Sequence, residues 1–314
     1  MNKICFIVNP LSGARAGTHA IVRLIGEILT PAGREYTIAH IRGPGDGARL
    51  CREATAQGYD LVAAVGGDGT INAVAQGIVG TAAVLAIIPA GSGNGFARTL
   101  GIPLDHRAAL RLLLSPRIMQ IDAGRINDRY FFNVAGIGLD AAISKSFEQQ
   151  GRRGTATYFL AGMKTFFSYK PGPVTITYAG GSLVLSPLVL SIANGPQYGS
   201  GAIIAPRARI DDGLLDVCIL EKLSLWRAAA NLYRLFNGTI DAVKGYRSFR
   251  AGAATIERPE PGLIHLDGEP HMAEALLRIE VLPEKLRVAV GEKAAARSAA
   301  SGEAGDKSRP ARRW

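Results

Sequence analysis

Along the first third of the chain, short unbroken apolar runs alternate with segments whose apolar residues recur every three or four positions. Residues 4–8 form the first run and predict a strand. From Thr18 onward Ile21, Leu24, Ile25 and Ile28 fall at helical spacing, and Pro31-Ala32-Gly33 ends that helix. Residues 35–40 predict a second strand. A glycine-rich loop, Gly43-Pro44-Gly45-Asp46-Gly47, leads from it into a helix over 49–57. Residues 61–65 and 84–88 predict two further strands, and a helix begins at about Asn72 between them. Strands alternating with helices of this length give βαβ units and a parallel sheet.

Near Ile118 the pattern changes. Residues 119–122 and 130–134 predict strands around an Asn127-Asp128 turn, followed by helices over about 139–149 and 155–168. The second helix carries Tyr158, Phe159, Met163, Phe166 and Phe167, which read either as core or as the wall of an apolar ligand channel. Short β-like runs then dominate, at 174–178, 183–192, 214–220, 253–257, 263–266, 277–282 and 286–290, interrupted by a helical pattern over 225–236. Regular short strands with Gly and Pro turns predict an antiparallel sandwich. The expected organisation is an α/β domain over 1–122, a β-rich domain over 123–290 and a disordered tail over 291–314.

Three of the predicted strand ends in the first domain carry Gly- or Ser-rich turns, at 9–13, 66–70 and 91–95. In an open parallel sheet such ends form one crevice. Glycine lets a ligand approach backbone N–H groups, and the helix that follows Gly66-Gly67-Asp68-Gly69-Thr70 adds donors and partial positive charge. This is how a chain cradles phosphate. A carboxylate beside an anion is repulsive unless it meets a proton, a metal or a hydroxyl, so Asp68 is a candidate for chemistry. By itself the loop also fits a plain turn with Asp68 as helix cap. A dinucleotide-binding Rossmann domain is disfavoured, because Gly91-Ser92-Gly93-Asn94-Gly95 does not follow the GxGxxG spacing.

Composition narrows the classes. The formal charge of +10 over 314 residues suits an anionic partner, and part of the excess lies in the tail at Lys293, Arg297, Lys307, Arg309, Arg312 and Arg313. Nucleic acid is disfavoured because the basic segments lack stacking aromatics. Cys5, Cys51 and Cys218 are scattered, which implies a reducing compartment and neither disulfides nor a zinc site. No leader-like opening and no apolar stretch of about 20 residues occurs, so the expectation is a cytoplasmic protein without a membrane span. No GxSxG follows a strand, which argues against a hydrolase triad. His265-x-Asp267-x-Glu269-x-His271 would share one face if extended, but Gly268 and Pro270 break such a strand. His19, His40 and His106 read as ordinary surface or loop residues, and Arg152-Arg153 either as a solvated helix start or as a lipid-headgroup contact.

Six motifs in order make the chain resemble the diacylglycerol kinase catalytic family, which includes bacterial lipid kinases, sphingosine kinases and ceramide kinases. They are Asn9-Pro10-x-Ser12-Gly13, Gly66-Gly67-Asp68-Gly69-Thr70-x-Asn72, Pro89-x-Gly91-Ser92-Gly93-Asn94-x-Phe96-Ala97-Arg98, Asn133-x-Ala135-Gly136-x-Gly138-x-Asp140, Asp212-Gly213-Leu214-Leu215-Asp216 and Leu266-Asp267-Gly268-Glu269. The resemblance covers roughly residues 1–290. It implies an N-terminal domain similar to NAD kinase and phosphofructokinase, a following β-sandwich and ATP between the two. It puts nucleotide contacts on Asn9, Pro10, Leu11, Ser12, Gly13, Gly66, Gly67, Asp68, Gly69, Thr70, Ile71, Asn72 and Ser92, and a catalytic carboxylate on Glu269. It also implies a structural Mg²⁺ held by Asp212 and the carbonyls of Arg209 and Leu214, a donor set that suits a hard cation. The sequence departs from the family at Gly95, where bacterial members often carry Asp, and at Arg42, where a threonine contact is expected.

The reading that follows is an ATP- and Mg²⁺-dependent lipid kinase acting on diacylglycerol or a related lipid, bound peripherally at a membrane, with Asp68 and Glu269 as the reacting carboxylates. A homodimer is compatible with the sequence. A NAD kinase-like small-molecule kinase and a non-catalytic lipid or nucleotide sensor are the alternatives.

Overall fold

The computed structural model describes residues 3–12, 15–150 and 169–291. Gly13, Arg152-Arg153, the expected aromatic helix over 155–168 and the tail beyond Gly291 lie outside the described residues.

The first unit alternates β1 (Lys3–Val8), α1 (Arg15–Leu29), β2 (Glu35–His40), α2 (Asp46–Ala56), β3 (Leu61–Gly66), α3 (Asp68–Ile78) and β4 (Val84–Pro89). The strands are parallel in the spatial order β2-β1-β3-β4. Every residue of β3 and β4 is buried, which is why both are written as unbroken apolar runs. β2 lies at the sheet edge and alternates, with Glu35, Thr37 and His40 outward. α2 and α3 approach so closely that a side chain on Gly77 would meet Ala48 and Cys51. Because the strands are parallel, Val8, Gly66 and Pro89 end on one side of the sheet, and the glycine-rich turns gather there. Two short helices that the periodicity did not reveal follow, α4 (Gly95–Thr99) and α5 (His106–Leu112). α5 is capped by Asp105, which accepts from Ala108 N at 2.8 Å.

The second unit comprises β5 (Arg117–Ile126), β6 (Arg129–Phe131), β7 (Val134–Gly138), α6 (Leu139–Gln150), β8 (Val174–Tyr178), β9 (Gly181–Leu185), β10 (Val189–Ala193) and β11 (Leu215–Leu220). It continues with α7 (Leu225–Asn231), α8 (Tyr233–Asn237), a 3₁₀ turn (Ile240–Ala242), β12 (Tyr246–Ala251), β13 (Ala253–Glu257), β14 (Gly262–Leu266), β15 (Glu269–Ala273) and β16 (Leu276–Val290). One sheet is antiparallel in the order β12-β11-β10-β7-β14-β15. It packs on β13, β8, β5 and β16 through a core that includes Phe131, Ile176, Leu190, Val217, Ile256, Ile264 and Leu277. The expected α/β domain followed by a sandwich is therefore the architecture observed.

Local expectations shift in several places, and the strand expected over 130–134 is two, β6 and β7. Residues 183–192 are two strands, β9 and β10, separated at Ser186-Pro187-Leu188. The helical stretch over 225–236 is divided at Leu232. β12 and β15 were not anticipated. Residues 277–282 and 286–290 are one strand, β16, whose register shifts between Leu282 and Leu286. β16 begins against β13 and β5, then runs parallel beside β4, with Arg287 opposite Val84 and Val288 opposite Leu85. Leu286, Val288, Ala289 and Val290 thereby join the core of the first unit. The three cysteines are buried and unbridged.

Candidate active site

The three turns converge as the alternation implied. Asn9 donates its backbone N–H to Val65 O at 3.1 Å and its side-chain amide to Thr70 Oγ1 at 2.9 Å, so the first turn is pinned to the head of α3. Asn9 Oδ1 accepts from Leu11 N, and Ser12 is buried beneath the turn with its carbonyl accepting from Thr18 Oγ1. Pro10 and Leu11 are exposed. The second and third turns touch through glycine. Ala90 N donates to Gly66 O at 2.7 Å, and a side chain on Gly67 would lie 3.2 Å from Gly91 Cα. A side chain on Gly66 would strike Thr70 at 2.5 Å. The place where these turns meet is thus lined by backbone, and it lies at the head of α3, whose first N–H groups have no partner within the helix. Ser92 is exposed at its rim.

Not every residue of the loop motif turns its side chain to that meeting place. Ile71 is fully buried in the core of the first unit. Asn72 donates to Asp267 at 2.7 Å and accepts from Gln76 at 2.6 Å, so its side chain serves the contact between the two units.

Asp68 opens α3 and points at the head of α4. Its Oδ1 accepts from Phe96 N at 3.2 Å, and its Oδ2 lies beside Gly93. The receiving turn is held by Asn94, which adopts φ 47° and bonds both to N and to O of Gly91, at 2.9 and 2.8 Å. Burial pushes the Asp68 carboxyl up to about 6, against the N–H groups of Phe96, Gly95 and Asn94, which favour the ionised form. Gly95 has a local reason. Its α-carbon faces the carbonyl of Tyr198, and any side chain there would collide with it. The 198–200 turn packs on the third turn in the same place, Ser200 N donating to Gly93 O at 3.0 Å.

Glu269 arrives from the other unit. β14 and β15 form a hairpin whose turn is Asp267-Gly268, both with positive φ, 50° and 92°. That Asp-Gly pair is a hairpin signal, and it sets Glu269 as the first residue of β15. The Glu269 side chain lies over Gly69 so closely that a methyl group on Gly69 would collide with its carboxylate. Asp68 and Glu269 are thus brought to neighbouring positions from opposite sides, one half-buried and one exposed.

Asp267, to which the motif itself assigns no role, is central in the structure. Its carboxylate accepts from Asn72 Nδ2 at 2.7 Å and from the N–H groups of Phe132, Asn133 and Val134 at 2.9, 2.8 and 3.0 Å. Burial raises its carboxyl above the usual range, while these donors pull it back. The alternating acids and histidines do not converge: Asp267 faces Asn72, Glu269 faces Gly69, and His265 Nε2 lies 3.4 Å from Asp140 inside the sandwich. Among the described residues no three such side chains form a metal cluster. Asp140 also accepts from Tyr198 OH at 3.0 Å and Ser191 Oγ at 3.3 Å, a buried polar group beneath Gly136 that sequence patterning did not assemble.

The groups implied by the resemblance fit unequally. The N–H groups of the glycine-rich turns suit a polyphosphate, and Asp68 and Glu269, which lies over the neighbouring Gly69, are the carboxylates that would hold its Mg²⁺. The structural Mg²⁺ does not fit. Asp212 shares a turn with Leu214, whose N–H it accepts at 3.2 Å, but its other oxygen is held by the Arg250 guanidinium, which also stands 3.9 Å from Asp216. The carboxylate oxygen that a cation would take is already occupied by a guanidinium.

Residues 3–126 match the model of the diacylglycerol kinase catalytic domain, and residues 133–290 match that of the YegS C-terminal NAD kinase beta sandwich-like domain. A Pseudomonas aeruginosa protein named probable lipid kinase YegS-like is 35% identical over 283 residues, covering 88% of this chain and 92% of that one. A Bacillus anthracis crystal structure, described as a candidate diacylglycerol kinase, superposes with a TM-score of 0.77 at 26% identity over 93% of this chain and 98% of that one. An Archaeoglobus fulgidus NAD kinase solved in complex with ATP superposes with a TM-score of 0.53 at 13% identity, covering 96% of this chain and 98% of that one, a likeness of fold.

Proposed function

Because this chain belongs to the YegS-like lipid kinases, which join a diacylglycerol kinase catalytic domain to a NAD kinase-like sandwich, we propose that it transfers the γ-phosphoryl group of ATP to a hydroxyl of diacylglycerol or a related lipid such as a sphingoid base. The observation that carries this reading is the placing of Glu269 from the second unit over Gly69, next in sequence to Asp68, at the glycine-rich head of α3. Phosphoryl transfer asks for positioning and charge stabilisation more than for covalent chemistry. Here the turns at 9–12, 66–70 and 91–95 supply N–H donors to the phosphates. Asp68, fixed by the N–H groups of α4, orients the reacting end of the nucleotide. Mg²⁺, when bound with ATP, neutralises charge on the phosphates. Glu269 faces Gly69 from the sandwich and takes the proton of the acceptor hydroxyl. The acceptor lies in a bilayer. No helix among the described residues is long and apolar enough to cross a membrane, and that favours peripheral access.

The test is incubation with γ-labelled ATP, Mg²⁺ and a panel of diacylglycerol, monoacylglycerol, phosphatidylglycerol, sphingosine and NAD. A labelled lipid product is expected. Label appearing on NAD alone would replace this reading by the small-molecule one, and label on nothing would favour a sensor.

A further inference from the structure

Among the described residues most large apolar side chains are hidden, and the exposed ones concentrate in one segment. Trp226, Tyr233 and Phe236 are 81%, 55% and 57% exposed, and Leu232 between them is 38% exposed. Leu232 itself has helical backbone, φ −56° and ψ −38°, so α7 and α8 continue each other around a nearly common axis. On such an axis Trp226, Tyr233 and Phe236 fall on one side, with Ala229 and Ala230 between them, also exposed. α8 buries none of its residues. This is a helix whose aromatic face is turned outward.

Within the segment that carries the stripe the charges have one sign, and the acids at its two ends, Glu221 and Asp241, are paired with Arg247 and Arg207. Residues 222–237 contain Lys222, Arg227 and Arg234 and no acid. Lys222 and Arg227 make no ion pair among the described residues, and the Arg234 guanidinium stands 5.3 Å over the Tyr233 ring. Aromatic rings with basic neighbours suit the boundary between headgroups and acyl chains. A second copy is the poorer occupant. A two-fold contact through this face would set like charges against like.

The stripe is also wired to the site. Leu235 O accepts from Ile203 N at 2.6 Å, and three residues earlier Ser200 N donates to Gly93 O beside Asp68. We propose that α7 and α8 form the face by which this protein docks on an anionic bilayer, Trp226, Tyr233 and Phe236 entering the interface while Lys222, Arg227 and Arg234 meet the headgroups. The proposal rests on the lipid kinase reading for its purpose, and the docking itself is measured without turnover.

The experiment is co-sedimentation of the full chain with vesicles of phosphatidylcholine mixed with phosphatidylglycerol, without ATP, for wild type and for the triple variant Trp226→Ala, Tyr233→Ala, Phe236→Ala. These side chains are exposed, so the melting temperature should hold and serves as the control. Vesicle affinity should fall on the order of tenfold or more, and Arg227→Gln with Arg234→Gln should also weaken it, since each basic residue near an anionic surface contributes. Turnover of acceptor in vesicles should fall in parallel, while turnover of a short-chain acceptor dispersed in water stays at wild-type level. Unchanged vesicle binding by the triple variant would overturn the proposal. So would a wild-type dimer that the triple variant converts to monomer while vesicle binding is retained, because the face would then be a self-interface. If no lipid is phosphorylated but vesicle binding still depends on the stripe, the kinase reading fails and the docking face stands.

Discussion

Asn72 donates its side-chain amide to Asp267 at 2.7 Å across 195 positions of sequence. Asn72 belongs to the helix behind the phosphate turn, and Asp267 to the hairpin turn that presents Glu269. This hydrogen bond therefore ties the phosphate turn directly to the turn that presents Glu269. The three backbone N–H groups that Asp267 also accepts, from Phe132, Asn133 and Val134, hold that carboxylate from the sandwich side.

Asp267→Asn should lower stability. The amide nitrogen would turn a donor toward a donor, and one buried N–H or side-chain amide would lose its acceptor, at about 1–3 kcal/mol. Thermal melting should fall by several degrees, and kcat should fall with it because Glu269 loses its fixed turn. Melting at the wild-type temperature would show that this carboxylate does not tie the two units.

Asp68 should trade stability for activity. Its carboxyl is pushed from the usual 3.8 up to about 6, so folding disfavours the ionised form. The sign follows: its contribution to stability is complete below the unfolded value and is lost as pH rises through about 6. Asp68→Asn should therefore melt above wild type at alkaline pH, with the gap closing as pH approaches the usual carboxylate range. Turnover should be abolished throughout. For wild type, kcat should decline as pH falls through about 6. A variant that melts below wild type at alkaline pH would show that the N–H groups of α4 outweigh the burial of the charge.

Glu269→Gln keeps the size of the side chain and removes the basic oxygen. If Glu269 takes the acceptor proton, kcat should fall by about 10²–10⁴, the range for a general base, with little change in the KM for ATP. Gly69→Ala approaches the same group from beneath. Its methyl would displace the Glu269 carboxylate, so kcat should fall while melting is unchanged or slightly raised. A change of less than about threefold in both variants, well below that range, would leave Asp68 as the remaining acid and Glu269 as a turn residue.

Arg250 should make the fold indifferent to divalent ions at Asp212. Removing Mg²⁺ with a chelator should leave the melting temperature of the apoprotein unchanged. Arg250→Met should lower it and make it rise again on adding Mg²⁺, since Asp212 and Asp216 would then lack their guanidinium. A chelator-sensitive wild type would show that a cation competes successfully with Arg250.

What the sequence made legible was local. Unbroken apolar runs such as 61–65 and 84–88 arise from strands covered on both faces, and their turns show in glycines that backbone contacts require. Elements whose identity depends on distant partners were hidden. β12 reads Tyr-Arg-Ser-Phe-Arg-Ala and is a strand because it pairs with β11, and β15 contains a proline yet closes a hairpin with β14. Asp267 sits 195 positions from Asn72, so its role could not be read from spacing. The Asp-Gly pair at 267–268 did mark its turn, and would have placed Glu269 at the start of a strand.

β16 constrains how the two halves move against each other. It lies between β4 of one unit and β13 of the other, and its register shifts only at residues 282–286. The site cannot open like a clamshell hinged on a slack linker, because a hydrogen-bonded ladder would have to be torn. Motion that preserves the ladder is confined to torsion about that irregular stretch. It also means that the nucleotide half is not a separable module: cut after residue 126, it would present the edge of β4 bare, an invitation to pair with another chain.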